Sequence, residues 1–335
     1  MDTPEQAALR EVIRDFCARH VASPGVLADG ATTARVWKRL AGELGLAGLA
    51  IGERYGGMGG GLAEVAVAAQ ELGRVLLPVP YLSTAVAGAA LAEGDPGLAA
   101  RLLPSLAAGE VTAAFALDGP VTLAAGRISG QARHVLDGAD AGLFLVPAPS
   151  GELYAIRAAD AVVTPAGTLD QSRSQATVTF TGAPATATGV DATRAVSLLR
   201  AMLAVESAAA AQRCLEVTVG YLKTRRQFGQ VIGSFQALRH RCADLAVEVT
   251  AAQATAAAAV AARPAELEVT AALAKLYCAD TFWHAASEMI QLHGGIGFTW
   301  EHPAHRYLKR AKANQLLVGT QGELRALIGA VAGLR

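Results

Sequence analysis

Residues 225–236 read Arg225-Arg226-Gln227-Phe228-Gly229-Gln230-Val231-Ile232-Gly233-Ser234-Phe235-Gln236, and residues 291–298 read Gln291-Leu292-His293-Gly294-Gly295-Ile296-Gly297-Phe298. The first stretch opens where one helical pattern ends and closes where another begins. From there Phe235, Leu238, Cys242, Leu245 and Val249 recur at spacings of 3, 4, 3 and 4, which places them on one helical stripe. Arg225 is a permanent cation with a planar fork, suited to a pyrophosphate or ribose phosphate. Phe228 offers a flat apolar surface for a nucleotide, and Gln236 an amide donor and acceptor. In the second stretch, Gly294, Gly295 and Gly297 let backbone N–H groups approach a ligand. Each stretch taken alone has an ordinary account too: a helix-hairpin turn relaxed by glycine, and a glycine C-cap.

Working outward, the pattern on both sides is helical. From about 194 to the end, long helices are predicted at 194–224, 235–263, 266–292, 303–316 and 320–333. Pro264 separates two of them, and Pro303 takes a favoured first-turn position. At the other end, helices are predicted at 4–20, 32–45, 64–77 and about 82–108, with Asp2 and Thr3 as caps and Gly45 as a stop. Between them, 112–118, 121–130, 141–147, 153–157 and 175–181 are short apolar runs broken by Gly, Pro, Asp and Ser, as antiparallel strands are. The expected architecture is α+β and mainly α. An N-terminal helical domain (1–110) precedes a small, reduced middle β domain (111–190) and a C-terminal four-helix bundle (191–335). This order is not βαβ, which argues against a Rossmann fold. Neither glycine cluster meets the GxGxxG fingerprint: after Gly295-Ile296-Gly297, Trp300 stands where the third glycine belongs, and Gly56–Gly61 does not follow a strand in a βαβ unit.

The 335 residues carry 29 basic and 29 acidic side chains. That balance argues against nucleic acid or an anionic membrane as main partner. Charged residues make up 17% and hydrophobic ones 52%. Such a surface is covered by other subunits, or alanine replaces polar residues on exposed helices; composition leaves both open. Cys17, Cys214, Cys242 and Cys278 form no CxxC pair and read as reduced, buried thiols of a cytoplasmic protein. No basic and apolar leader is read at the N-terminus, and Ala254–Ala262 is too short to span a bilayer.

The two quoted stretches, with Tyr55-Gly56-Gly57-Met58-Gly59 and Glu71-Leu72-Gly73-Arg74, resemble the acyl-CoA dehydrogenase family over nearly the whole chain, most closely at 200–325. The resemblance implies FAD lying across a subunit interface. Arg225, Gln227, Phe228, Ile232, Phe235, Gln236, Gln291, Gly294 and Gly295 would then grip the ADP half of a flavin held mostly by a neighbour.

Three departures from the family pattern decide the rest. Where members of the family end their active-site segment in Glu-Gly-Thr, this chain has Val318-Gly319-Thr320. A minority of the family carries its glutamate on the preceding long helix; the corresponding residue, 26 before Arg225, is Leu199. The flavin-facing Thr-Glu-Pro and Gly-Ser-Asp stretch is replaced by Ala116-Leu117-Asp118-Gly119-Pro120. α,β-Dehydrogenation of a thioester needs a base near the α-carbon, worth about 10²–10⁴-fold in rate. Neither valine nor leucine can supply it, so no catalytic residue is assigned.

The resemblance is closest to the shorter subunit of paired α2β2 bacterial enzymes that act on CoA thioesters of steroid side chains. It implies a glutamate-bearing partner that binds most of the acyl-CoA. Two alternatives stand beside it. The chain could be an enzyme by itself using another residue, such as His305 or Asp118, or a structural subunit that lost the cofactor. His302 and His305 could share a helix face, but a metal site is not read there for want of further ligands. Arg306, Lys309, Arg310 and Lys312 read first as a solvated helix face, with CoA phosphates or a partner as the other account.

Overall fold

The N-terminal helices start where the sequence supplies caps. The computed structural model describes residues 2–26 and 29–333. Helix α1 (Pro4–His20) is opened by Thr3, whose hydroxyl accepts the Gln6 backbone N–H while the Gln6 side chain accepts the Thr3 N–H in return. Asp29 caps α2 (Gly30–Gly42) with its carboxylate alone, which accepts the Thr32 N–H. Next come α3 (Leu62–Arg74), α4 (Tyr81–Leu91) and α5 (Pro96–Ala107). The stretch expected as one helix at 82–108 is therefore two. Asp95 accepts from the Leu98 N–H and Pro96 takes the first helical position, so a new helix begins there.

Eight strands follow: β1 (Ala113–Phe115), β2 (Val121–Ala124), β3 (Arg127–Leu136), β4 (Leu143–Pro147), β5 (Glu152–Arg157), β6 (Ala161–Pro165), β7 (Gln175–Pro184) and β8 (Thr186–Asp191). They form two four-stranded sheets, ordered β1-β4-β5-β8 and β2-β3-β7-β6. Among the described residues only the β1–β4 pairing is parallel. The run expected as one strand at 121–130 is a hairpin that reverses at Ala125-Gly126, both with positive φ. The inner faces bury Ile128, Ile156 and Val178 around Phe144 and Phe180, whose rings meet edge-on at 6.1 Å.

The chain then runs through α6 (Ala192–Thr224), the small hairpin β9 (Arg226–Gln227) and β10 (Gln230–Val231), α7 (Gln236–Val260), α8 (Leu267–His293), α9 (Gly295–Phe298), α10 (Ala304–Leu316) and α11 (Gln321–Val331). Helices α7 and α8 are antiparallel: Arg241 pairs with Glu288, Glu248 with His284, and the Ala252 carbonyl with Cys278. Helix α6 is buried on nearly all sides from Ser197 to Ala211 and forms the axis of this region. On the predicted α7 stripe, Leu245 and Val249 are buried while the residues nearer the hairpin are half-buried. Burial pushes the Cys17 and Cys278 thiols up to about 12, keeping both protonated at neutral pH.

One expectation fails outright. Arg310, read as part of a solvated face, is 1% exposed. Its Nε donates to Asp170, Nη1 to Glu206 at 3.1 Å, and Nη2 to the Ser172 carbonyl and hydroxyl at 2.8 Å each. Arg173 donates to Glu206 and, at 3.0 Å, to Asn314. Burial alone would raise the pKa of Asp170 and Glu206, but the pull of Arg310 and Arg173 outweighs it and holds both below the usual carboxylate range. The network fastens the β6–β7 connection to α6 and α10, and so fixes the sheets against the helices.

Candidate functional site

The hairpin after α6 turns on two residues. Gln227 pairs with Gln230, and between them Phe228 (φ 52) and Gly229 (φ 79) both lie in the left-handed region. Such a two-residue turn matches the twist of its strands, and it throws the Phe228 ring outward to 89% exposure. Phe235 meets that ring edge-on at 6.0 Å. Arg225, Gln227 and Gln236 are exposed beside it, and Ile232 and Phe235 are half-buried.

At the end of α8 the glycines divide by role. A methyl on Gly297 would lie 2.7 Å from the Ile290 carbonyl, so tight packing within the chain requires that glycine. Gly294 and Gly295 are exposed, and a methyl on either would meet nothing within 4 Å. Gly294 serves the chain through its own left-handed backbone (φ 64), but no packing inside the chain calls for glycine at 295, and together they leave a backbone surface that another group can approach. The two stretches share one end of the helical region. Tyr221, one turn before Arg225, stacks at 4.4 Å on His293, two residues after Gln291. Phe298 (85% exposed) and Trp300 (71%) project nearby in sequence, with Trp300 edge-on to His305 at 4.6 Å.

Helix α10 begins at Ala304, so His302 precedes it and accepts the Ala304 N–H at 3.3 Å. Both ring nitrogens of His305 are buried without a hydrogen-bond partner, and burial pushes its pKa down. Among the described residues, no group of three His, Cys, Asp or Glu is placed to hold a metal ion.

Val318 and Leu199, distant in sequence, line one cavity of about 870 Å³ between the sheets, α6 and the α10–α11 turn. Val318 has φ 58, an unusual backbone for a β-branched residue. The turn is fastened by its carbonyls. Arg200 Nε donates to the Val318 oxygen at 3.0 Å, and Lys275 Nζ donates to those of Gln315 and Gly319 at 3.1 and 2.7 Å. Burial lowers the Lys275 pKa to about 8. Three carboxylates reach the cavity wall, and each is engaged. Asp118 pairs with His134 at 2.8 Å, Asp170 with Arg310, and Glu323 accepts the Thr320 N–H and hydroxyl at 2.7 and 2.9 Å. No carboxylate stands at either Val318 or Leu199.

Comparison with known proteins bears on this arrangement. Residues 3–110 match the acyl-CoA dehydrogenase N-terminal domain, and 190–333 match the acyl-CoA dehydrogenase C-terminal domain. The chain belongs to the acyl-CoA dehydrogenase family. It is 39% identical to acyl-CoA dehydrogenase IpdE2 of Mycobacterium tuberculosis, over 96% of both chains. It is also 39% identical to acyl-CoA dehydrogenase FadE34 of the same organism, but spans 47% of that longer protein. Among solved structures, the ChsE4-ChsE5 complex from Mycobacterium tuberculosis contains a chain with TM-score 0.89 and 28% identity, with 100% of this chain and 99% of that one covered. The Tcur3481-Tcur3483 steroid acyl-CoA dehydrogenase G363A variant gives TM-score 0.89 and 26% identity, with 98% of each covered.

FAD is the cofactor that membership of this acyl-CoA dehydrogenase family implies. The residues present fit its ADP half: an exposed arginine, an exposed aromatic ring, three exposed amide side chains, and two glycines open to approach.

Proposed function

We propose that this chain is the non-catalytic subunit of a heteromeric, FAD-dependent acyl-CoA dehydrogenase, and that it completes the flavin site of a glutamate-bearing partner. One observation supports the reading: the residues assigned to the ADP half lie exposed or half-buried with Gly294 and Gly295 open, while both base positions are apolar and line one cavity. Arg225 would take a phosphate, Phe228 an apolar face of the nucleotide, and Gln227, Gln236 and Gln291 its polar edges. Gly294 and Gly295 would offer backbone to the same group, with Ile232 and Phe235 supporting the turn from behind. When bound, the flavin supplies the hydride acceptor for α,β-dehydrogenation of a CoA thioester. The partner's carboxylate takes the α-proton, which nothing at Val318 or Leu199 can do.

Two of the relatives support a paired assembly. ChsE4-ChsE5 is a complex, and Tcur3481-Tcur3483 is named as a steroid enzyme, which makes a steroid side chain the first substrate to try and an α2β2 heterotetramer the first stoichiometry. FadE34 joins a unit like this chain to about as much sequence again. The cytoplasm is the compartment proposed for it.

The test is flavin absorbance near 450 nm for this chain alone and co-purified with a candidate glutamate-bearing family member. The expected result is a colourless chain alone and a yellow complex at one FAD per pair of chains. A yellow chain alone, at one FAD per chain, would overturn the division of labour. So would a complex whose flavin content ignores Arg225→Ala with Gln291→Ala.

A further inference from the structure

The cavity that holds Val318 and Leu199 has its own chemistry. Its floor is apolar, with Leu136, Leu199, Leu317 and Val318 facing inward, and its volume lies within the roughly 300–1,000 Å³ of small-molecule pockets. Its walls also carry Arg133, Arg200 and Lys312. Among the described residues none of these three has a carboxylate within 4.0 Å, whereas the three carboxylates of the wall are each engaged. Lys312 instead donates to the Gln315 side chain at 3.3 Å and lies over the Trp283 ring, and Arg133 donates to Gln131.

Arg200 is the telling member. It is half-buried beside Leu199, and only its Nε is bonded, to the Val318 carbonyl. Its two Nη groups make no hydrogen bond among the described residues. Glu268 and Glu323 are near enough to be felt electrostatically but not to pair, and desolvation lowers the pKa of Arg200. A guanidinium taken from water and left unpaired is unfavourable unless an anion meets it. Bound carboxylate would accept from both Nη groups, the fork geometry that arginine favours.

We infer that this cavity is a binding site for an amphipathic carboxylate, an apolar body ending in a free acid, with the acid on Arg200 and the body against Leu199, Leu317 and Val318. The site needs no flavin and no base, and it does not rest on the shared-flavin reading above. Its ligand differs from a monocarboxylic acyl-CoA thioester such as dodecanoyl-CoA, whose acyl end has no charge to offer Arg200.

The test is calorimetric titration of the full chain with dodecanoate, dodecan-1-ol and dodecanoyl-CoA. Dodecanoate is expected to bind at one site per chain. R200Q should weaken dodecanoate by about ten- to a hundredfold, the range for a hydrogen bond to a charged group, and leave dodecan-1-ol unchanged. L316W, at a cavity-lining residue that is also exposed, should weaken acid and alcohol alike without unfolding the chain. Absence of dodecanoate binding to the native chain would overturn the inference. So would equal binding of acid and alcohol with no effect of R200Q, or dodecanoyl-CoA displacing dodecanoate with equal strength in native protein and R200Q.

Discussion

Substituting Gly295 by alanine separates the chain's own needs from those of the group it is proposed to hold. Gly295 is the first residue of α9, has no positive φ, and would place its new methyl where nothing lies within 4 Å. Alanine is favoured over glycine in a helix by roughly 0.5–1 kcal/mol. The isolated G295A chain should therefore be as stable as the native one, or more stable by up to about 1 kcal/mol. In the complex the same methyl would stand between the backbone and the ADP half of the flavin. Overpacking at a filled contact costs about 1–3 kcal/mol, which is roughly a five- to 150-fold loss of flavin affinity. The assay is flavin retention on dialysis of the complex, read by absorbance, with denaturant unfolding of the chain alone as control. Unchanged flavin affinity in the variant complex would refute the assignment of this surface. Loss of more than about 1 kcal/mol in the chain alone would refute the packing argument. G294A would not serve, because φ 64 with ψ −143 is a glycine-only backbone and the variant would be strained before any ligand arrived.

Other perturbations test the frame. Arg310→Met keeps the apolar stem but leaves Asp170 and Glu206 short of a cation, so a loss of about 3–5 kcal/mol is expected in urea unfolding at pH 7. In the native chain the lowered pKa values of both carboxylates give stability that is present above pH 5 and lost as pH falls through their folded pKa values. In R310M Asp170 loses its main charge partner and burial would raise its carboxyl, while Glu206 keeps Arg173, so the deficit should shrink as pH falls from 7 to 5; a loss under about 1 kcal/mol, or no such shrinkage, would contradict the network. Asp137 is buried and its carboxyl is pushed up to about 6, chiefly by desolvation. A raised carboxylate pKa gives stability that is full below pH 4 and falls as pH rises to 6, by roughly 2–3 kcal/mol. Asp137→Asn should flatten that fall and suits the residue's φ of 58; an unchanged pH–stability curve would show the group is not desolvated.

Helix order, strand character and the two exposed stretches were legible because local signals carry them. Thr3, Gly45, Pro264 and Pro303 mark ends without help from the rest of the chain. The break at Asp95-Pro96 was equally local, and the apolar continuity of 82–108 masked it. Strands β6 and β8 escaped because both are short, one ends in proline and the other carries glycine, and much of each strand faces solvent. Arg310 could not be read at all. Its partners lie 140 and 104 residues away, so only the packed fold shows why a charge belongs inside. The cavity was illegible for the same reason: Leu199 and Val318 share a wall only because α6 and the α10–α11 turn converge.

Val318 keeps a left-handed backbone, and the bonds that hold the turn run to main-chain oxygens from Arg200 and Lys275. None of them consults the side chain. Position and chemistry at this site are thus inherited separately. A side-chain change at this one position therefore exchanges an inert group for a carboxylate, or the reverse, without redrawing the loop. Gly319-Thr320 marks the turn in the sequence, whatever residue stands before it.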